Sequence, residues 1–323
     1  MIRYVFKRIL LLIPVIIGAS FIVFALFDLA PGNVVENIIF SSSEPMTTEQ
    51  IDALYHQYGL DQPMLYRYGQ YMFNLVRGDL GVGDVTKIDV WDSYIEKLPN
   101  TLILSLTSLV LGSAMAIPLG IFSAKRAGSL TDNATTVLTM IGISMPSFWL
   151  GLLLLQLFSL KLGWLPAGGN RHGIRSLILP AFCSALMLMM SATRQTRSSM
   201  LDVLHADYLR TARAKGVPEK VVIRKHALRN ALIPIITVIG NSLSASLAGS
   251  VIVESVFSWP GVGRLAVEGV NARDTNQVLG TVIMTSIFYV LIQIFVDIAY
   301  AFADPRIKSL YVGRKKSKAA AKA

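Results

Sequence analysis

An all-α membrane protein with six transmembrane helices is the fold class this sequence predicts, and three observations predict it. Hydrophobic residues make up 53% of the 323 and charged residues 15%, against about 25% charged in an ordinary soluble domain. Mean hydropathy is +0.54. Six stretches are apolar over about 20 residues, the length that crosses a bilayer. The basic residues gather in short segments between those stretches.

The first stretch, 9–29, follows Arg3, Lys7 and Arg8. It is longer than the apolar core of a signal peptide and no small-x-small cleavage pattern follows, so it reads as a retained helix. The others are 101–124, 134–160, a short Met-rich 177–193, 231–257 and 278–302. Pro118 and Pro146 fall inside the second and third. A spanning helix tolerates proline where neighbours satisfy the freed carbonyl, so both predict kinks and not helix ends.

With the N-terminus placed in the cytoplasm, the inside segments hold 21 of the 30 Lys and Arg and the outside segments 9. That asymmetry is what the positive-inside rule produces, and it puts both termini inside. It also accounts for the net charge of +10 without nucleic acid, which would require a basic polar domain.

Residues 31–100 form a long outside segment. Thr47 and Gln50 are spaced as a capping box. Ile51, Leu54, Tyr55 and Tyr58 then share one helical face, and Gly59 suits the C-terminal cap. After Pro63, a second amphipathic helix carries Leu65, Tyr68, Tyr71, Met72 and Leu75 on its apolar face and ends at Gly78. Those faces require a partner surface. The tail from Arg314 reads as disordered and basic.

No phosphate loop of the Gly-x4-Gly-Lys-[Ser/Thr] type occurs, nor a nucleophile elbow, a His-Glu-x2-His helix or a carboxylate pair. The four histidines lack ligand spacing, and lone Cys183 reads as a small buried hydrophobe; no metal site is expected. The spans hold almost no ionisable residue apart from Asp297, read as a structural pair. Carriers driven by protons or sodium place such residues near the midplane, so a stand-alone channel or secondary carrier is disfavoured.

Residues 194–230 form a polar segment far longer than a connection needs. Asp207 suits the cap of a short helix, Gly216 its stop, and Pro218 the opening of the next. Such a helix-break-helix unit either fits a groove on another protein or lies on anionic headgroups. In the fifth span, Gly240, Ser244 and Ala248, then Ser242, Ser246 and Ser250, then Ala245 and Gly249, recur every four residues. Small residues at that spacing allow close helix packing. With Asn241, they equally leave room for a path, whose candidate residues are Asn241, Ser244, Ser246 and Gly249.

The stretch from Asp207 to Gly216, followed by His226-Ala227-Leu228-Arg229-Asn230-Ala231-Leu232-Ile233-Pro234, resembles the coupling loop of ATP-binding cassette (ABC) importer permeases. Further matches are Ala30-Pro31-Gly32, Gly59-Leu60-Asp61-Gln62-Pro63, Gly78-Asp79-Leu80-Gly81, Ser144 to Trp149, Thr196 to Met200, Phe257 to Gly263 and Asp304-Pro305-Arg306. Together they resemble the dipeptide/oligopeptide/nickel permease family of binding-protein-dependent transport systems, in the subunit type with a long first external loop. Arg210 and Thr211 stand where the general motif has glutamate and alanine; Ala212 and Gly216 keep it.

The resemblance implies a MetI-like permease fold and a transport subunit, not an enzyme, in a prokaryotic inner membrane. It implies a first helix over 1–30, an external loop over 31–100, a permease core over 101–305 and a basic cytoplasmic tail over 306–323. Asp207, Arg210, Thr211, Ala212, Ala214, Lys215, Gly216, Val217 and Pro218 would form the ATPase coupling loop. The implied partners are a second homologous permease, two ATP-binding subunits that hold the ATP and Mg, an extracytoplasmic substrate-binding protein and a peptide substrate. This chain would carry no cofactor. Nickel or a metal–chelator complex is the alternative cargo within the family.

Overall fold

The computed structural model describes residues 2–42 and 45–303; Asp304 and the basic tail lie outside the described residues. Among the described residues there are helices and no named strand. Two compact units emerge, one formed mainly by residues 102–259 and one by Lys7–Thr101 with Pro260–Val290.

In the second unit, α1 (Ile2–Leu29) is followed by α2 (Val34–Ser41), α3 (Thr48–Gln57) and α4 (Met64–Val76). α1 leaves Leu10, Leu11, Ile13 and Ile22 exposed, as a lipid-facing helix does. Helix α2 was not foreseen: Asn33 caps it by accepting the Glu36 N–H at 2.9 Å, and Val34 and Val35 are buried. The capping box on α3 forms in both directions, Gln50 N–H to Thr47 Oγ1 and Thr47 N–H to Gln50 Oε1. Gly59 and Gly78 take positive φ after α3 and α4.

The apolar face of α4 is used within the unit. Tyr68 meets Phe21 and Phe24 edge-on, with ring centroids 5.3 and 5.6 Å apart, and its hydroxyl donates to Ile17 O at 3.0 Å. Tyr71 joins Phe24, Leu80, Val90, Tyr94, Leu279 and Ile283 in the core. Leu65 does not share that face: it is 68% exposed, and Met64 packs in its place. One residue in a turn rotates position by about 100°, so a neighbour can take the role the spacing assigned to Leu65. α13 (Val262–Asn271), a second helix not foreseen, and the first half of α14 (Thr275–Ala303) complete the unit.

The other unit contains most of α5 (Val90–Lys125), then α6 (Leu130–Ser144), α7 (Ser147–Leu154, continued by a π-helical stretch to Lys161) and α8 (Ile174–Leu204). α5 starts eleven residues earlier than its apolar stretch and α8 runs on to Leu204, so the first part of the expected 194–230 loop is helix. α8 is the central post and packs against α6, α7 and α11 (Leu228–Gly249). α5 and α8 touch backbone to backbone: a Cβ on Gly120 would lie 2.5 Å from Thr196 Cβ and 2.8 Å from Thr193 O. Cys183 is buried and free.

Pro118 lies inside α5. Pro146 departs from expectation. The helix stops at Ser144 and restarts at Ser147 with the two arms 101° apart. Proline pushes the residue before it out of the helical region, and Met145 sits at φ −79°, ψ 126°. The result is a right-angle corner where a kink was expected.

Four helices of the described residues are long and apolar enough to cross a membrane, or five if this bent pair counts as one span. The expected span 231–257 is divided between α11 and α12 (Val251–Val256). Its acid, Glu254, is a second buried ionisable residue beside Asp297. It accepts the Ser250 hydroxyl at 2.6 Å, so Asp297 does not stand alone in the spans.

Candidate coupling loop and translocation cavity

After α8 the chain turns at Ala206 into α9 (Asp207–Ala214). Asp207 is the first helical residue and not the cap: its carboxylate is 97% exposed and 3.8 Å from Arg210 Nη1, and Ala206 holds the cap position without a side-chain bond. An acid in the first turn still favours the helix dipole. Gly216 ends the helix at φ +75°. Pro218 caps α10 (Glu219–Val221), and a π-helical stretch Val222–Ala227 leads into α11.

Three contacts fix α9 to α10, the π-helical stretch and the base of α11. Leu209 is buried among Met200, Val222, Ile223, Ala227 and Ala231. Asn230 Nδ2 donates to Tyr208 Oη at 2.9 Å. Arg213 spans the break to Glu219 with bonds of 3.0 and 3.1 Å; that pairing raises the Arg213 pKa and lowers that of Glu219. Ala212 and Val217 pack partly into the same cluster. Asp207, Arg210, Thr211, Ala214, Lys215, Gly216 and Pro218 remain exposed. The nine candidate coupling residues thus divide into two that anchor and seven that form an outer rim.

The candidate path residues divide as well. Ser244 is buried, its hydroxyl donating to Gln293 Oε1 at 2.8 Å. Ser246 donates to Ser105 Oγ at 3.1 Å, and Asn241 is exposed. Gly249 is the last residue of α11, and its burial is outside what is described. Ser246 lines a cavity of about 310 Å³ with Ser105, Ser108, Ser147, Ser184, Ser191, Ser242 and Ser250, closed by Leu109, Met187, Leu188, Ile252 and Val253. Among the described residues its wall carries hydroxyls and no charged group. The sequence placed Ser242, Ser246 and Ser250 on one face, but offered no signal for Ser105, Ser108, Ser147, Ser184 and Ser191, which come from distant stretches of the chain.

Two family descriptions match in tandem. Residues 116–309 match the "Binding-protein-dependent transport system inner membrane component" and residues 1–107 its N-terminal counterpart. The chain belongs to this family. Among its relatives, the oligopeptide transport system permease protein AppB of Bacillus subtilis is 39% identical over 95% of this chain and 100% of its own length. The di/tripeptide transport system permease protein DppB of Pseudomonas aeruginosa is 36% identical over 95% and 99%. The glutathione transport system permease protein GsiC of Escherichia coli is 39% identical over 95% and 99%. An inward-facing structure of the MetNI methionine ABC transporter covers 65% of this chain and 95% of its own at a TM-score of 0.56. At 16% identity that likeness establishes the permease fold for the part it covers.

Proposed function

We propose that this permease is one membrane subunit of an ATP-driven importer of short peptides and forms half of its translocation path. The observation that carries the reading is membership over nearly the whole chain of a binding-protein-dependent family whose relatives above are named for peptides. Those names favour peptide cargo over nickel. The importer lies in a prokaryotic inner membrane, crosses it six times with 231–257 as the fifth span, and keeps both termini in the cytoplasm. The distribution of lysine and arginine supports that orientation.

In this reading a second, homologous permease supplies the other half of the path. Two ATP-binding subunits sit below and hold ATP and Mg. One receives the rim Asp207, Arg210, Thr211, Ala214, Lys215, Gly216 and Pro218 in a surface groove. Leu209, Tyr208–Asn230 and Arg213–Glu219 tie α9 to α11, so displacement of the groove moves α11 with it. An extracytoplasmic binding protein delivers the peptide, with α3 as a candidate docking helix because none of its residues is buried. The serine-lined cavity is the candidate path. Hydroxyls both donate and accept, which suits a peptide backbone irrespective of side chain.

The test is isolation of the tagged chain from its native membrane in mild detergent, with mass spectrometry of what accompanies it. A second permease and chains bearing phosphate loops are expected. Reconstituted into vesicles, that complex takes up peptide only with ATP. A lone or purely self-associated chain that retains its fold would overturn the reading.

A further inference from the structure

The unit of Lys7–Thr101 and Pro260–Val290 contains its own polar cavity, about 470 Å³ in volume, within the range of small-ligand sites. Both signs of charge line it: Asp28, Glu36 and Asp84, with Arg67 and Arg273. Arg67 and Asp28 satisfy each other at 2.8 Å. Glu36 accepts one long bond, from Asn33 Nδ2 at 3.3 Å. Asp84 accepts Asn276 Nδ2 at 3.1 Å and the backbone N–H groups of Thr275 and Asn276. A carboxylate has about four acceptor sites, so both acids, with Arg273, keep capacity for a ligand.

Two features set this cavity apart from an ordinary polar crevice. The Tyr71 hydroxyl is buried without a hydrogen-bond partner, on a residue that is 9% exposed and lines the cavity. Buried hydroxyls are normally paired.

The second feature is the backbone of Arg273. The Asp274 N–H bonds Gly269 O at 2.9 Å and the Arg273 N–H bonds Val270 O at 3.1 Å, the two bonds of a Schellman turn closing α13. Its left-handed position ordinarily takes glycine. Here arginine holds it at φ +57°. Asn37 Nδ2 anchors the turn by donating to Ala272 O at 2.9 Å. The guanidinium is thereby brought beside the Gly32 turn: a Cβ on Gly32 would lie 4.0 Å from Arg273 Nε and 3.6 Å from Glu36 Oε2. Strain of this kind persists where the side chain has a task.

We propose that this cavity is a receiving site for the free ends of a short peptide, Arg273 taking the α-carboxylate, Glu36 and Asp84 the α-ammonium, and Tyr71 a backbone amide or carbonyl. The choice of peptide rests on the importer reading above. A zwitterion of two or three residues matches the volume and the paired charges, whereas a simple anion would leave the carboxylates opposed to it.

The experiment uses the assembled importer in nanodiscs without its binding protein, and titrates Ala-Ala-Ala, its N-acetylated form and its C-terminal amide. The free tripeptide is expected to bind about tenfold or more tightly than either capped form, as charged hydrogen bonds imply. Arg273→Gly should abolish discrimination between acid and amide while the thermal midpoint stays level or rises. Tyr71→Phe should weaken binding without loss of stability. Equal affinity for all three peptides, absence of binding, or an Arg273→Gly variant that still discriminates would overturn the site. ATP-driven uptake by the unaltered complex separates the two claims: absence of uptake defeats the importer reading, and uptake with unaltered Arg273→Gly binding defeats this site alone.

Discussion

Arg197 grips Asp132 through two parallel hydrogen bonds, Nε to Oδ1 at 2.5 Å and Nη2 to Oδ2 at 2.7 Å. The carboxylate is 1% exposed and also accepts the Gly128 N–H at 2.9 Å and the Ser123 hydroxyl. The pair joins the start of α6 to α8. Removing one partner of a buried pair leaves an uncompensated charge, at about 3–5 kcal/mol. Arg197→Met should therefore cost about that much and lower the thermal midpoint of the purified complex. Adding Asp132→Leu should recover a large part of it. A double variant no better than the single would show that the pair is not the cause.

Gly216 has nothing within 4 Å of where a Cβ would sit, so its constraint is φ alone. Gly216→Val should strain the turn by about 1–2 kcal/mol and distort the rim of α9. Co-purification of the ATP-binding subunits should fall sharply, while the cavity lined by Tyr71 keeps its binding. Leu209→Asp should release them too, by expelling the anchor from its cluster. Retention of the ATPases in both variants would remove the coupling role from this loop.

Burial beside Asp274 pushes the Asp84 carboxyl up to about 6, with the Asn276 backbone and Lys87 pulling the other way. Between its ordinary value and about 6, the folded chain holds a proton that the unfolded chain has lost. Stability therefore falls as pH rises through that window and levels off above it. Asp84→Asn should flatten this dependence and raise the midpoint at pH 7–8. A midpoint that instead climbs with pH equally in both proteins would contradict the assignment.

A Cβ on Gly120 would enter the Thr196 side chain and the Thr193 carbonyl. Gly120→Leu should force α5 from α8 and destabilise by about 1–3 kcal/mol or more, as overpacking does, with loss of monodisperse complex on size exclusion. Gly128→Ala, in open space but at φ +80°, should cost only the smaller conformational penalty of about 1–2 kcal/mol.

The sequence reading succeeded where one local rule decides. Thr47 and Gln50 formed their box, Gly59, Gly78 and Gly216 stopped helices, and the long apolar runs became helices. It missed α2 although Asn33 precedes Val34, Val35, Ile38 and Ile39 at helical spacing, because a run of eight residues is too short to stand out. It misjudged Leu65 because two adjacent apolar residues, Met64 and Leu65, compete for one face, and packing chooses. Asp207 moved one place because Ala206 carries no side-chain cap, which nothing in the local pattern excludes. Of the candidate site, the helix-break-helix form of residues 207–221 was visible as a contiguous motif. The serine cavity and the setting of Arg273 depend on residues far apart in the chain, so no window along the sequence contains them.

The corner at Pro146 limits reach. Each arm of the pair Leu130–Ser144 and Ser147–Lys161 is 15 residues long, about 22 Å at about 1.5 Å per residue. The apolar layer is about 30 Å deep. With the arms at right angles, upright placement of one leaves the other crosswise, so their lengths do not add along one axis. The apolar side chains of the crosswise arm, Trp149, Leu152 and Leu157 among them, then run along the layer and not through it.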